Sequence, residues 1–561
     1  MLKVVGASWL QTRISTYILI AVALLGVGAI ILGEFGHVEQ DGIYSATVLW
    51  NHKRGYRIDF WGQGNDLNAV PLHVARAYYK TEIFEHGWSY IEIETSSNYP
   101  DTVQAYAAGL LEGSLTWQLI HHHWFNTIKP ECEAKPVECR KLMRYLRDNT
   151  AVIRERAESK ESSDPFWHMV RLFYTQLDGL EAGWKFAVRR SRVSVSLESE
   201  DFLWLALASD LSGFQQVFNI SNSLVSSMIH FKSFPRDNSE PLIAITQHTL
   251  APYTHMLRLL KKYTFGYHVL PMTKTDALIP SRSIVMSSYP GALSSRDEFY
   301  LINGENHEMV ITGTPLLTTN RNEWSVLYPD YVMLTARLMA ANRLATNSQS
   351  WFNTMSHQNG GASALQWISF EPRSMTVLLI EQLPSITVAM NYTEEFKKTG
   401  FISYVGISNS QNIKNIIRPA KKDMNFLKTR LTHLQENITT FEQLQNVMRG
   451  CSQDGCTTEK QNSKTDQLQE LTYRGDLEDV PIPYGVIDTK ILATSVYGLE
   501  SFEAISGPPT SQLRTPFKWS KSFPNISHVG HPDTFEFESV TPRWLARMLA
   551  AYGEILRNKI K

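Results

Sequence analysis

The chain has 561 residues, of which 43% are apolar and 19% charged, and a formal net charge of −1. This composition belongs to a globular chain with room for a large core, not to a disordered one. Near-neutral charge supplies no basic field to hold nucleic acid and no bulk attraction to an acidic lipid surface.

In chain order, Lys3 and Arg13 precede an uncharged run from Tyr17 to Leu32. A basic start before an apolar stretch reads as a signal peptide or a signal-anchor within residues 1–35. The run is short for a spanning helix, which needs about 20 residues. Bulky Ile30, Ile31 and Leu32 stand where small residues would mark a cut. If the leader is kept, residues 17–32 are the expected membrane contact. Either way the body enters the secretory pathway, for secretion or for the lysosome. Sequons at Asn219, Asn391, Asn437 and Asn525 agree with that route. The cysteines fall into two close pairs, Cys132 with Cys139 and Cys451 with Cys456, and read as disulfides. Their spacing is wider than that within zinc-binding pairs. With both pairs bonded, no thiol is left for catalysis.

Residues 40–561 read as one domain. Tyr44–Trp50 and Arg57–Trp61 are rich in β-formers and form an expected hairpin, and a helix is expected near Val74–Ala77. Gly87–Thr95 alternates apolar and polar residues, as a half-buried strand does. Asp101 with Gln104 gives a capping-box signal for a helix whose Val103, Ala107, Leu110 and Leu111 share a face. His121, His122 and His123 point about 100° apart on a helix, so they cannot ligate one ion together. No metal site and no cofactor are expected. Arg154–Asp164 reads as a solvated helix end or loop, and Phe166–Leu180 as helix. Ser221–Phe231 ends in a short strand. Tyr331, Leu334, Leu338, Ala341 and Ala345 make a helical core stripe, and Met375–Ile380 a strand covered on both faces. His528 and His531 lie in a Gly/Pro/Asp-rich turn region and read as structural.

Several of these stretches carry a resemblance: Gln104–Gly113, His123–Thr127, Val225–His230, Tyr253–Tyr263, Ser287–Ser295, Glu381–Pro384, Pro516–Ser520 and His528–Asp533. Together they resemble the phospholipase B-like family, and within it the insect branch of lamina ancestor proteins, from about Tyr44 to Phe537. The resemblance implies an α+β fold: a four-layer αββα sandwich of the N-terminal-nucleophile hydrolase type. It implies a phospholipid or other acyl substrate. It also implies a self-cleaving chain, whose smaller part would be residues 40–224 and larger part residues 225–561.

In such enzymes the freed terminal residue is the nucleophile and its own amine the base. The family pattern Cys-Ser-Ala-Leu-Ile-Lys falls on Val225-Ser226-Ser227-Met228-Ile229-His230, so the cysteine slot holds a hydrocarbon. Ser226 is the alternative nucleophile, but a one-residue slip turns a strand side chain to the opposite face. It could enter the slot only through a bulge or a shifted match. The family histidine falls on Gln247, with His248 adjacent. Of the family's Asn-Asn-Gln, only Gln366 is kept, and Ala364 and Leu365 replace amides that could stabilise an oxyanion. The family's Glu-Thr-Thr falls on Thr312-Gly313-Thr314. Two readings follow: a hydrolase with a serine nucleophile, or a catalytically silent secreted glycoprotein that binds lipid or a protein partner.

Overall fold

A computed structural model of the chain describes residues 17–20, 22, 42–62, 70–221, 225–237, 239–316, 330–404, 406–416, 437–451, 472–510, 515–542 and 544. Residues Ile43–Lys561 make one compact unit. Of the leader, only Tyr17–Ile20 and Val22 are described, as exposed helical residues. No described helix is long and apolar enough to cross a membrane.

Among the described residues, sixteen strands carry the frame. The amino-terminal four are β1 (Gly42–Asn51), β2 (Gly55–Gly62), β3 (Ala75–Glu82) and β4 (Trp88–Thr95). Then follow β5 (Ser226–Arg236), β6 (Ser239–Pro252), β7 (Arg258–Thr264), β8 (Ser283–Ser288), β9 (Phe299–Asn303) and β10 (Glu308–Pro315). The last are β11 (Leu365–Glu371), β12 (Thr376–Leu383), β13 (Ile386–Asn391), β14 (Phe401–Tyr404), β15 (Tyr484–Ser495) and β16 (Gly498–Ser506). Eleven join in the order β13-β12-β11-β10-β9-β8-β7-β4-β3-β1-β2, and five in the order β14-β5-β6-β15-β16. Strands β4 and β7 pair in parallel, with Trp88 opposite Arg258, and join β1–β4 to the later strands of the large sheet.

The main helices are α1 (Asp101–Leu115), α2 (Trp117–Ala134), α3 (Pro136–Lys160), α4 (Pro165–Ser191), α5 (Ser199–Ala206) and α6 (Ala208–Val217). Later come α7 (Leu334–Leu344), α8 (Ser348–Ser356) and α9 (Phe441–Met448). Side chains of α1–α8 bury one face of the large sheet. Its other face meets the small sheet through residues such as Leu260, Phe299 and Phe370 against Ile229, Phe231 and Leu492. The outer face of the small sheet, with Met228, Ala244 and Ile491, is covered by Leu444, Val447 and Met448 of α9.

Helices α1 and α4 approach until their backbones touch. A Cβ on Gly109 or Gly113 would overlap the carbonyls of Gln176 and Leu180, and one on Gly179 or Gly183 those of Tyr106 and Leu110. These two small-xxx-small pairs face each other, so no side chain can be added on either side.

Two local expectations are corrected. Val74–Ala77 is not helical: Ala75–Glu82 is strand β3, paired antiparallel with β4. Ala75, Ala77 and Tyr79 are buried on one face, and Arg76 reaches across to Glu94 at 2.8 Å; sheet pairing decides the segment, not its alanine content. Asp101 is the first helical residue and not the cap, which is Pro100. Its carboxylate is drawn instead to His168 at 2.9 Å and His268 at 2.8 Å. Gln104 turns back to Tyr99 O at 2.8 Å and accepts from Thr95 Oγ1 at 2.7 Å.

Candidate functional site

Strand alternation sorts the residues at the head of β5. Ile229 and Phe231 face the large sheet, whereas Met228 faces α9. Val225 and Ser227 therefore share the inner face, and Ser226 points outward. Val225 is 2% exposed, in an apolar cluster with Tyr253, Tyr289, Ile487, Phe517, Trp519 and Phe535. The Ser226 hydroxyl has the phenol of Tyr484 at 3.5 Å. Ser227 is held from the other sheet: its N–H donates to Thr314 Oγ1 at 3.1 Å, and its hydroxyl to Asp297 O at 3.4 Å.

The same alternation separates Gln247 from His248. Gln247 faces inward and donates to Asp297 O at 2.7 Å and Gly313 O at 3.3 Å. His248 faces outward and bonds Met448 O through Nε2 at 2.9 Å. Burial, aided by the charge of Lys490, pushes its imidazole down to about 4, so it is neutral. Gln366 lies opposite Thr314 in the β10–β11 ladder and opposite Glu381 in β11–β12. Its amide donates to Glu381 at 2.8 Å and Ile407 O at 2.9 Å. Of the candidate site residues, Gln247 thus meets Ser227 at the Asp297 carbonyl. Ser226 and His248 lie on the other face of the sheet, and Gln366 is tied to β12.

Sequence reasoning missed what holds this junction: Arg258 from β7, Asp297 from the turn before β9, and Asp488 and Lys490 from β15. All four side chains are fully buried between the sheets. Arg258 pairs with Asp297 and, at 2.9 Å, with Asp488. Lys490 contacts Asp488 at 2.6 Å, Thr249 Oγ1 at 2.7 Å and Asp297 at 3.2 Å. Ser287 donates to Asp297 at 2.8 Å, and the Arg258 guanidinium lies 4.0 Å from the ring centre of Tyr289. Burial alone would raise the Asp297 carboxyl, but Arg258 and Lys490 hold it well below its ordinary value. Two cations and two anions cancel, as buried charges must. The available signal was the pair of ionisable residues two positions apart in the otherwise uncharged β15.

Next to the quartet, Glu298 adopts a left-handed φ of 57°. Its carboxyl accepts from Trp367 Nε1 at 3.1 Å. Burial pushes it up to about 8, so it is largely protonated at neutral pH. Behind Tyr289 lies a cavity of ≈ 20 Å³, lined by His123, Glu131, Gln215, His255 and Arg296 among others, room for about one water. A cavity of ≈ 330 Å³ lies at the far side of the small sheet, between Arg449, Thr489, Pro508, Phe535 and Phe537.

Chemically, Val225 has no proton to lose and no lone pair. Ser227 donates to a carbonyl and not to a base. Lys490 spends its three donors on Asp488, Thr249 and Asp297. At the position where the resemblance implies a histidine, Gln247 has no basic nitrogen, and the adjacent His248 is on the other face of the sheet.

Cys132 and Cys139 are bonded to each other, joining the end of α2 to the start of α3. Cys451 is bonded as well, and Cys456 lies outside the described residues. Asn219, Asn391, Asn437 and Asn525 are all exposed. Among the described residues one carboxylate/histidine cluster, Glu82, Glu85 and His86, has metal-ligand proximity. It lies on a short surface helix that shares no residue with the quartet.

Compared with known proteins, residues 75–542 match the family model of phospholipase B. A phospholipase B-like lamina ancestor protein of Drosophila melanogaster is 30% identical over 97% of this chain and 100% of its own length. Phospholipase B-like 2 of Homo sapiens is 28% identical over 84% of this chain and 86% of its own. Phospholipase B-like protein B of Dictyostelium discoideum is 26% identical over 88% of each. With the family model matched over residues 75–542 and a relative 30% identical over nearly the whole chain, the chain belongs to the phospholipase B family.

Proposed function

We propose that this protein keeps the αββα frame of an N-terminal-nucleophile hydrolase as a catalytically silent, lipid-binding phospholipase B-like glycoprotein of the secretory pathway. The observation that carries this reading is Val225, buried in an apolar wall at the head of β5 where the chemistry requires a thiol or hydroxyl. Support also comes from the outward face of Ser226, the displacement of His248, and the loss of amides at Ala364 and Leu365. The stacked sheets with helices outside them support the frame. The exposed sequons and the bonded cysteines support passage through an oxidising compartment.

A second reading, a serine acyl hydrolase, is favoured by Ser227. Its hydroxyl is on the inner face, and Ser227 lies opposite Thr249, the residue bonded by Lys490. In that reading a phospholipid or related ester is cut, and any nucleophile is internal to the chain.

The test is to hold the purified full-length protein at acidic and at neutral pH and run denaturing gels and intact mass. In parallel, fatty-acid release and binding are measured with phosphatidylcholine vesicles. The silent reading expects an intact chain, vesicle binding and no acyl release. Fragments whose larger piece begins at residue 225, 226 or 227 would overturn it, as would acyl release lost in Ser227→Ala.

A further inference from the structure

The segment Phe517–Phe535 closes the Val225 end of β5. Phe517, Trp519 and Phe535 form part of the cluster around Val225 and Tyr289. The segment pairs with itself, Phe517 and Lys518 against Phe535 and Thr534, and Trp519 N–H donates to Asp533 O at 2.9 Å. Asn126 of α2 fastens it. The amide donates to Val529 O at 2.8 Å, and its oxygen accepts from Val529 N–H and the Ser527 hydroxyl, both at 2.9 Å.

Histidines crowd this fastening from three parts of the chain. Gly530, at φ +76°, is pressed on His122, and a Cβ there would overlap His122 Nδ1. His531 is 8% exposed, edge-on to Trp519 at 5.5 Å, with neither ring nitrogen in a hydrogen bond. His528 stacks flat on Trp519 at 4.7 Å. His123 stacks on Tyr289 at 5.5 Å and meets His255 edge-on at 5.7 Å. His255 Nε2 accepts from Arg296 at 3.0 Å, which requires a neutral ring.

The other charged groups do not favour protonation here. Arg296 is a cation, and Arg258 and Lys261 are cations already paired with Asp297, Asp488 and Glu112. Glu131 is linked to Arg296 only through Gln215, by bonds of 2.7 and 3.1 Å. Asp533 is at the exposed edge. Burial, then the neighbouring positive and imidazole groups, lowers His531 and His255 well below the ordinary histidine value and His123 to about 3.

We propose that Phe517–Phe535 is an acid-released cover over the Val225 end of β5, latched to α2 by this histidine seam. The proposal holds whether or not the slot beneath carries chemistry. A histidine lowered in the closed form and freed to about 6.5 in the open form takes up its proton on opening. The closed form therefore keeps its full stability above about pH 6.5 and loses it as pH falls, by up to about tenfold per unit for each histidine freed. His531 alone would favour opening about 50-fold more at pH 4.5 than at pH 6.5, and approaching 100-fold more than at neutral pH.

Hydrogen exchange of the full chain from about pH 7 to about pH 4.5, corrected for intrinsic rates, tests this. The Trp519, Val529 and His531 amides should lose about 100-fold protection relative to those of β6 and β11 as the pH falls. His531→Phe, which keeps the ring, should cut that response at least tenfold. Gly530→Ala should open the segment at neutral pH by steric contact alone. Equal protection at both pH values in the unaltered protein overturns the proposal, and so does an unchanged acid response in both His531→Phe and His123→Phe. If His531→Phe does not fold, the unaltered profile and Gly530→Ala still decide.

Discussion

Val225 and the quartet beneath it differ in kind. Val225 puts a hydrocarbon side chain in an apolar cluster at the head of a strand, whereas Arg258, Asp297, Asp488 and Lys490 are charged side chains, fully buried and paired with one another. Removing one member of a buried network leaves a charge uncompensated, at a cost of about 3–5 kcal/mol. Asp297→Asn should lose about that much stability in denaturant unfolding, and Lys490→Met added to it should recover part of the loss, because charge balance returns. The Asp297 carboxyl is lowered in the folded state, so its contribution is present above the unfolded value near 4 and is lost as pH falls below it. Glu298 has the opposite sign. Its carboxyl is raised to about 8, so between about 4.5 and 8 the folded state holds a proton that the unfolded state has lost. Stability should fall with rising pH in that window by about 1 kcal/mol per unit from this group. In Glu298→Gln that slope should be absent from a series of melts.

At the scale of elements, the α1–α4 contact makes a prediction whose sign is informative. In an isolated helix Gly→Ala stabilises by about 1 kcal/mol. Here Gly109→Ala or Gly179→Ala drives a methyl into a facing carbonyl. Each should therefore destabilise by about 3 kcal/mol or more, read as a lower denaturant midpoint. The disulfide between Cys132 and Cys139 closes a short loop at the α2–α3 corner. Reducing it should cost about 2–3 kcal/mol. The elements themselves were partly legible. The strand at Gly87–Thr95, the helix at Phe166–Leu180 and the buried strand at Met375–Ile380 all appear, because their periodicity is strong and local. The segment after Val74 was misread, because its pairing partners β1 and β4 lie elsewhere in the chain and alanine content speaks for a helix only when no sheet is at hand.

For the whole molecule, four exposed sequons predict a glycoprotein. Protein produced in eukaryotic cells should lose mass on enzymatic deglycosylation, and each of Asn219→Gln, Asn391→Gln, Asn437→Gln and Asn525→Gln should remove one glycan; an unchanged mass would show that the sequons are not used. The sequence by itself determined the family, since that is a matter of residue identity at fixed spacing. Only the tertiary structure decided which neighbours act together. Gln247 and His248 are adjacent in the chain yet lie on opposite faces of a sheet, while Ser227, Asp297 and Lys490 are far apart in the chain yet meet between two sheets. Strand register and sheet stacking make those choices, and both are set by cooperative packing that no local pattern encodes.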